Sequence, residues 1–465
     1  MQLASLLGGV DVLERRGDVT VDIGSVTHDS RQVVPGSLYC CVVGATADGH
    51  AFAPAAVEAG AVAVLCERLV PVDAAQVRVA DTRAAMGPVA AAFHGHPSRR
   101  MRVVGITGTN GKTTATHFLQ AVLEAHGLAT AVIGTLGGAR TTPEAPELQA
   151  LLDDHARAGR AAVAMEVSSH ALSQHRVDGT WFEVAAFTNL SQDHLDYHGD
   201  MEAYFEAKAS LFTPSHTAQG VVNADDPWGR RLLEASPVPM RPYSMEEAED
   251  LELRVTGSTF TWRGEQVSLR LGGDFNVSNA LCAAAVADVL DVPASAVAEG
   301  LSSVQAVPGR FEQVDAGQPF TVVVDYAHTP DGLSRVLRSA RAVVAADARV
   351  IVVFGCGGDR DREKRPMMGQ VAAELADLAF LTNDNPRSEP PMSIIAEVLA
   401  GVPLRRTVTV EPDRAAAIGM ALGAARPGDV VVIAGKGHET GQTTGDVTVP
   451  FDDRDVARRL LEALR

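Results

Sequence analysis

The stretch MRVVGITGTNGKTT, residues 101–114, constrains this chain more than any other. A β-branched run fit for a strand buried on both faces passes directly into a glycine-rich loop, and the loop opens a helix near Lys112. The usual phosphate-binding loop keeps four residues between its first glycine and the Gly-Lys-[Ser/Thr] end. Counted from Gly105 the spacing here is one residue longer, and counted from Gly108 it is two shorter. The strict pattern fails, yet its physical parts are present. Glycines let backbone close around phosphate, and a helix N-terminus offers N–H groups without partners to an anion. Lys112 can reach terminal phosphates, and the Thr113 hydroxyl suits Mg²⁺.

The rest of the chain is arranged around this unit. Before it, VTHDSRQVVPGSLYCCVVGATADGHAF alternates short apolar strands with Gly, Pro and Asp turns, and APAAVEAGAVAVL reads as an Ala-rich helical stretch. Together they describe a small mixed α/β domain that ends at the turn-like FHGHPSRR. After the glycine loop come a helix to about residue 127, then strands in ATAVIGT, AAVAMEV and FEVAAFTNL, with a helix over PELQALLDDHARA. Such alternation implies a mostly parallel sheet with right-handed crossovers. STFTWRGEQVSLRL reads as an antiparallel hairpin ahead of the helix NVSNALCAAAVADVL. A further series, TVVVDYA, RVIVVFG, LAFLTN, TVTV and DVVVIAG, predicts a second doubly wound domain. At 465 residues, two to four domains are expected.

Composition narrows the function. The 58 acidic and 40 basic residues give a net charge of −18, which argues against nonspecific binding of nucleic acid or anionic membrane. No apolar run approaches bilayer length. Five cysteines with no CxxC pair suggest neither a disulfide framework nor a structural zinc site, and the adjacent Cys40 and Cys41 read as buried thiols. The opening MQLASLLGGVDVLERRGD has no secretory-signal pattern, so a reducing cytoplasm is the expectation.

Several strand ends carry chemistry, as ligand sites in open α/β sheets require. TNLSQDHLDYHGD offers Asp193, His194, Asp196 and His198, which could be a zinc site or, with Glu166 after AAVAMEV, part of a Mg²⁺-assisted phosphoryl site. DYAHTPDGL offers Asp325, Tyr326 and His328, and FGCGGDRD offers Asp359 and Arg360. Gly355, Gly357 and Gly358 do not match GxGxxG and read as tight turns or close backbone approach. IAGKGHE places Lys436, His438 and Glu439 after a buried strand. Lys208 reads as a surface lysine on MEAYFEAKASLF, and LTNDNPRSEPP as a proline-stiffened loop around Arg387.

Taken together, DSRQVVPGSLY, GATADGH, GTNGKTT, TTPEAPELQ, MEVSSHAL, TNLSQDHLDYHGD, DYAHTPDGL, GCGGDRD, DNPR and GKGHE, in this order along nearly the whole chain, resemble the Mur ligase family of peptidoglycan synthesis. The resemblance implies three domains: a UDP-sugar domain over 1–98, a central P-loop ATPase domain with a mostly parallel sheet over 99–310, and a C-terminal Rossmann-like domain over 311–465. It implies an ATP-dependent ligase that adds an amino acid to UDP-N-acetylmuramoyl-L-alanyl-D-glutamate through an acyl phosphate, with Mg²⁺. It further implies a monomer in the cytoplasm, without nucleic acid or membrane insertion.

Residue roles follow by the same resemblance. Lys112, Glu166, His194 and Lys208 would be catalytic. Thr113, Glu166, His194 and a carbamylated Lys208 would hold metal. Gly108, Thr109, Asn110, Gly111, Lys112, Thr113, Thr114, Asn276, Asn279, Arg310 and Asp325 would bind ATP. Ser30 with Ala45, Thr46 and Ala47 would meet uridine, while Thr141, Thr142, Ser168, Gln174 and Arg176 would meet the muramoyl-peptide. Arg140 departs from the Asn many relatives carry. Arg360, Asp384, Asn385, Pro386, Arg387, Gly435 and Glu439 would take the incoming amino acid, and DNPR implies meso-diaminopimelate. The alternatives are the same reaction with L-lysine, a folylpolyglutamate synthetase-like ligase, for which DNPR and GKGHE are not expected, or a P-loop ATPase that works as a switch.

Overall fold

Three sheets organise the chain in the computed structural model, which describes residues 1–44 and 46–464. Ala45, one of the expected uridine contacts, lies outside the described residues. The first sheet has five strands in the spatial order Val12–Arg16, Ala75–Val79, Ala61–Cys66, Ser37–Cys40, Ser25–Thr27, antiparallel only at its first pair. One expectation fails here. APAAVEAGAVAVL is not continuous helix: the helix Ala53–Glu58 stops at Gly60, whose φ is 110°, and Ala61–Cys66 is a strand. Its alanines and valines pack at period two against neighbouring strands, so burial overrides the helical preference of alanine.

The second sheet has six parallel strands in the order Met240–Tyr243, Gly220–Asn223, Val184–Phe187, Arg102–Thr107, Ala162–Glu166, Thr130–Ile133. Ala162–Glu166 is buried at every position, as both-face coverage by helices demands. The helices Lys112–Ala125 and Asp274–Val289 pack together over one face through Phe118, Val122 and a run of fully buried alanines. The expected hairpin forms from Gly257–Trp262 and Glu265–Leu269, and Glu249–Arg254 adds a third, charged edge strand.

The third sheet runs Glu312–Gln313, Thr321–Asp325, Val430–Ala434, Val350–Phe354, Leu378–Leu381, Thr409–Val410, parallel except at its first pair. All five expected strands of this series are present. The hairpin Gly441–Thr444 with Val447–Pro450 follows. All five cysteines are free and buried. Among the described residues no helix is long and apolar enough to cross a membrane.

Candidate active site

The carboxyl edges of the second and third sheets face each other across a cavity of about 410 Å³. The strand Arg102–Thr107 feeds the glycine loop into this space, and Gly111 turns the chain into the helix with φ 88°. A Cβ at Gly111 would stand 2.2 Å from Asn279 Oδ1 and would sit at a φ that strains any side chain, so glycine is favoured there. The loop is held from behind by a neighbouring strand end. The Asn110 N–H donates to Asn189 Oδ1 at 3.0 Å, and Thr188 Oγ1 and Asn189 Nδ2 donate to the Asn110 carbonyl at 2.6 and 3.1 Å.

Two lysines converge on this loop. Lys112 Nζ donates to the carbonyls of Gly108 and Thr109 at 2.9 and 2.8 Å, and Lys208 Nζ donates to the same Gly108 carbonyl at 2.8 Å. Lys208 is no surface lysine: it is 1% exposed and its ammonium sits 4.7 Å from the Tyr204 ring centre. Burial, reinforced by the Lys112 cation, pulls its pKa well below the ordinary lysine range. Burial also lowers Lys112, with Glu166 opposing.

Glu166 ends the central strand. Its Oε1 accepts the Thr135 N–H at 2.8 Å, and its Oε2 accepts Thr113 Oγ1–H at 3.0 Å. Thr113 in turn accepts from Arg310 Nη2 at 2.9 Å, a link into the glycine loop from the segment that precedes the third sheet. His194 lines the same cavity, held neutral by burial, with Asp193 3.4 Å away. His328 and Lys364 from the third unit approach Asp193 to 3.9 and 3.8 Å. Among the described residues no three His, Cys, Asp or Glu side chains converge as a metal cluster. His198 of the possible zinc set instead bonds Ser169 Oγ at 2.9 Å. A hydroxyl, a carboxylate and an imidazole lining one cavity, with a buried lysine behind them, fit Mg²⁺, which keeps water and phosphate among its ligands.

Of the expected nucleotide residues, Thr109 to Thr114, Asn276, Asn279, Arg310 and Asp325 all line the cavity. Asp325 is already engaged, accepting the Phe311 and Ala327 N–H groups at 2.7 Å each. Arg310 stacks 4.6 Å from the Tyr326 ring centre. Beside it, Gly309 presses on the IAGKGHE loop: a Cβ there would stand 2.0 Å from the His438 backbone nitrogen.

The three strand-end clusters of the third unit do form one composite wall. Arg360, Asp384, Asn385, Arg387, Gly435 and Glu439 line the cavity, while Pro386 is buried behind it. Asn385 Nδ2 donates to Glu439 Oε2 at 2.7 Å, and Lys436 Nζ bridges Asn385 Oδ1 and Glu439 Oε2 at 3.1 and 2.9 Å. Arg387 sits in left-handed conformation, φ 52°, pinned by its N–H to the Thr443 carbonyl at 3.1 Å. Its Nη1 donates to the Gly358 carbonyl at 2.6 Å, which leaves most of the guanidinium fork toward the cavity. Gly355 and Gly358 run against the Thr382 and Pro386 carbonyls, the close approach expected of them.

Thr141 and Ser168 line this cavity too, and Thr142 Oγ1 donates to the Glu166 carbonyl at 2.9 Å. Arg176 donates to the Thr142 carbonyl at 3.1 Å and to Gln174 Oε1 at 2.7 Å. A second cavity, about 880 Å³, opens between the first and second units, and Ser30, Ala47 and Arg140 line it. Thr46 is exposed beside it and is not among its lining residues. Sequence reasoning missed Asn189, Thr135 and Lys364. TNLS and VIGT could have signalled the first two, because both follow strand ends.

Comparison with known proteins agrees along the whole chain. Residues 22–94 match the Mur ligase family catalytic domain, 106–287 the Mur ligase middle domain, and 309–437 the Mur ligase glutamate ligase domain. The chain is 46% identical to UDP-N-acetylmuramoyl-L-alanyl-D-glutamate--2,6-diaminopimelate ligase of Streptomyces avermitilis, over 99% of this chain and 96% of the relative. A solved structure of a ligase with the same name superposes with a TM-score of 0.70 at 32% identity, covering 100% of this chain and 99% of the other. Folylpolyglutamate synthase of Mycobacterium tuberculosis, at 21% identity and a TM-score of 0.59 over 76% of this chain and 92% of its own, shares the fold.

Proposed function

The chain belongs to the Mur ligase family, and from that premise we propose that it joins meso-diaminopimelate to UDP-N-acetylmuramoyl-L-alanyl-D-glutamate at the expense of ATP, for peptidoglycan precursor synthesis. The observation that carries this is the single cavity in which Lys112, Glu166, His194 and Arg310 of one unit face Asn385 and Arg387 of another. A carboxylate is a poor acyl donor, so it must first gain a leaving group. The glycine loop and Lys112 hold the nucleotide phosphates, and Asn276, Asn279 and Arg310 its nucleoside side. The D-glutamyl carboxylate attacks the terminal phosphorus, ADP departs, and an acyl phosphate forms. The diaminopimelate amine then attacks the acyl carbon, a tetrahedral adduct forms, and phosphate leaves as the amide is made.

Thr113, Glu166, His194 and a carbamylated Lys208 would hold Mg²⁺, which neutralises charge on the phosphoryl oxygens when bound. Carbamylation needs a neutral amine, and burial beside Lys112 favours that form of Lys208. Thr141, Thr142, Ser168, Gln174 and Arg176 would hold the muramoyl-peptide, and Ser30, Thr46 and Ala47 the uridine end. Domains over 1–98, 99–310 and 311–465, a monomeric state and a cytoplasmic location are part of the same proposal.

Lysine and diaminopimelate differ by one distal carboxylate. Arg387 can meet that group with a bidentate fork, supported by Asp384, Arg360, Gly435 and Glu439 around the amino-acid head. Phosphate release is therefore expected only when both the UDP-muramoyl-dipeptide and the amino acid are present, with diaminopimelate preferred over L-lysine. Steady ATP turnover without either substrate would refute the ligase reading.

A further inference from the structure

Behind the wall that carries Arg387 lies a lysine with no access to solvent. Lys436, in the loop after the strand Val430–Ala434, is 0% exposed, and its ammonium donates to Asn385 Oδ1 at 3.1 Å and to Glu439 Oε2 at 2.9 Å. Both partners line the large cavity, whereas Lys436 itself does not. An ammonium is among the costliest groups to bury, and is kept only where an anion and acceptors surround it. Holding the chain in place would not call for one here, because the backbone on either side has its own support. The Arg414 guanidinium, equally buried and paired with Asp453 at 2.7 Å, donates to the Ala434 and Asn383 carbonyls at 3.0 and 3.4 Å.

What Lys436 settles is the direction of two polar groups. A carboxamide such as that of Asn385 can turn over, exchanging donor for acceptor, with almost no change of shape. Here its oxygen accepts from Lys436 Nζ and from the Thr443 N–H at 3.0 Å, and its Nδ2 donates to Glu439 Oε2 at 2.7 Å. One Nδ2 hydrogen is thereby left for a ligand. Glu439 Oε2 accepts from two donors, so Oε1, which has none among the described residues, is left as an acceptor. The same Thr443 accepts the Arg387 N–H through its carbonyl at 3.1 Å, which sets the guanidinium fork beside them.

We propose that Lys436 is a positioning residue that makes Arg387, Asn385 and Glu439 read the configuration at the distal carbon of the incoming amino acid. The proposal rests on the ligase reading above and deepens it. That carbon bears a carboxylate, an ammonium, a hydrogen and the chain leading to the reacting amine. The Arg387 fork and Asn385 Nδ2 form a donor face that suits the carboxylate, and the Glu439 Oε1 acceptor suits the ammonium. With the reacting amine held at the phosphoryl side of the cavity, these two places admit one configuration. The mirror arrangement would set the ammonium against the donors or the carboxylate against Glu439. Without Lys436 the amide is free to turn its oxygen toward the carboxylate, and Glu439 loses the cation that holds it.

The test is steady-state phosphate release by the full chain with meso- and with LL-diaminopimelate, at saturating ATP and UDP-muramoyl-dipeptide. The unmodified chain is expected to separate the two isomers by about tenfold or more in kcat/KM. Lys436→Met should shrink that ratio about fivefold, through a higher KM for the preferred isomer, with kcat and the KM for ATP within about threefold of the parent. Lys436→Gln, which keeps donors but not the charge, should fall between the two, and it carries the test if the Met variant does not fold at the assay temperature. A ratio within about twofold of the parent in every folded variant, or an equal loss for both isomers, overturns the role of Lys436. An unmodified chain that ligates both isomers equally well overturns the reading of configuration alone. One that releases no phosphate with either isomer overturns the ligase reading as well.

Discussion

Replacing Arg387 should change which amino acid the enzyme accepts more than how it handles ATP. The guanidinium spends one donor on the Gly358 carbonyl at 2.6 Å and keeps its remaining N–H groups for a ligand. Two charge-assisted hydrogen bonds to a carboxylate are worth roughly 2–4 kcal/mol, allowing for desolvation, which is about 30- to 1,000-fold in kcat/KM. A second effect must be separated from this. Arg387 sits at φ 52°, where alanine is strained by roughly 1 kcal/mol but asparagine is tolerated. Arg387→Asn therefore removes the fork with little backbone penalty, and Arg387→Ala removes it with the penalty added. Both should lose kcat/KM for meso-diaminopimelate by at least thirtyfold in a phosphate-release assay at saturating ATP and UDP-muramoyl-dipeptide. Turnover with L-lysine, which has no distal carboxylate to lose, should change less than threefold in the Asn variant. A loss under threefold for diaminopimelate, or an equal loss for both amino acids, would refute the fork.

Lys208→Ala is expected to be nearly inactive and partly restored by added short carboxylates; no restoration with any of them removes the carbamate from the proposal. Lys112→Ala should unfold at the same temperature as the parent yet give no ATP-dependent ligation, and an active variant would dismiss the glycine loop as the phosphate site. Chelating divalent cations should stop ligation while UDP still binds in calorimetry, whereas turnover in chelator would exclude the Mg²⁺ reading. A pH test concerns Asp178, where burial works to raise the carboxyl but hydrogen bonds from His175 at 2.8 Å and His216 at 3.4 Å prevail and bring it down to about 2. A depressed carboxyl stabilises the fold above its unfolded value near 3.8, and that stability is lost as pH falls toward 2. Asp178→Asn should cost about 2 kcal/mol at pH 6 and about 1 kcal/mol or less at pH 2.5, read by denaturant unfolding; an equal cost at both pH values would refute the assignment.

The parts of the fold that could be read in advance are those whose physics is local. VVGIT, VIVVF and VVVIA are β-branched runs that only a doubly covered parallel strand needs, and each became one. Gly220–Asn223 and Met240–Tyr243 escaped because four-residue strands near an edge, one containing proline, have too short a pattern to stand out. Ala61–Cys66 was hidden by alanine, whose preference says helix until neighbours bury it. In the site, Asp325, Arg387 and Glu439 were legible because they follow strand ends. Lys208 was not, since nothing in its helix announces that its amine reaches a carbonyl 100 residues earlier. Nor was the contact of Arg83 with Glu144, because pairs formed across a unit boundary leave no local signature.

The contact at Gly309 bears on heredity as well as on structure. A Cβ there would overlap the His438 backbone, and no side-chain rotation relieves a backbone clash. Every amino acid reachable from a glycine codon by a single nucleotide change carries a Cβ, from alanine and serine to aspartate and tryptophan. The segment joining the nucleotide side of the enzyme to its amino-acid side thus has no one-step genetic escape at this residue. A compound that lodges against the Gly309–His438 contact would face a position where resistance cannot begin with a simple missense mutation.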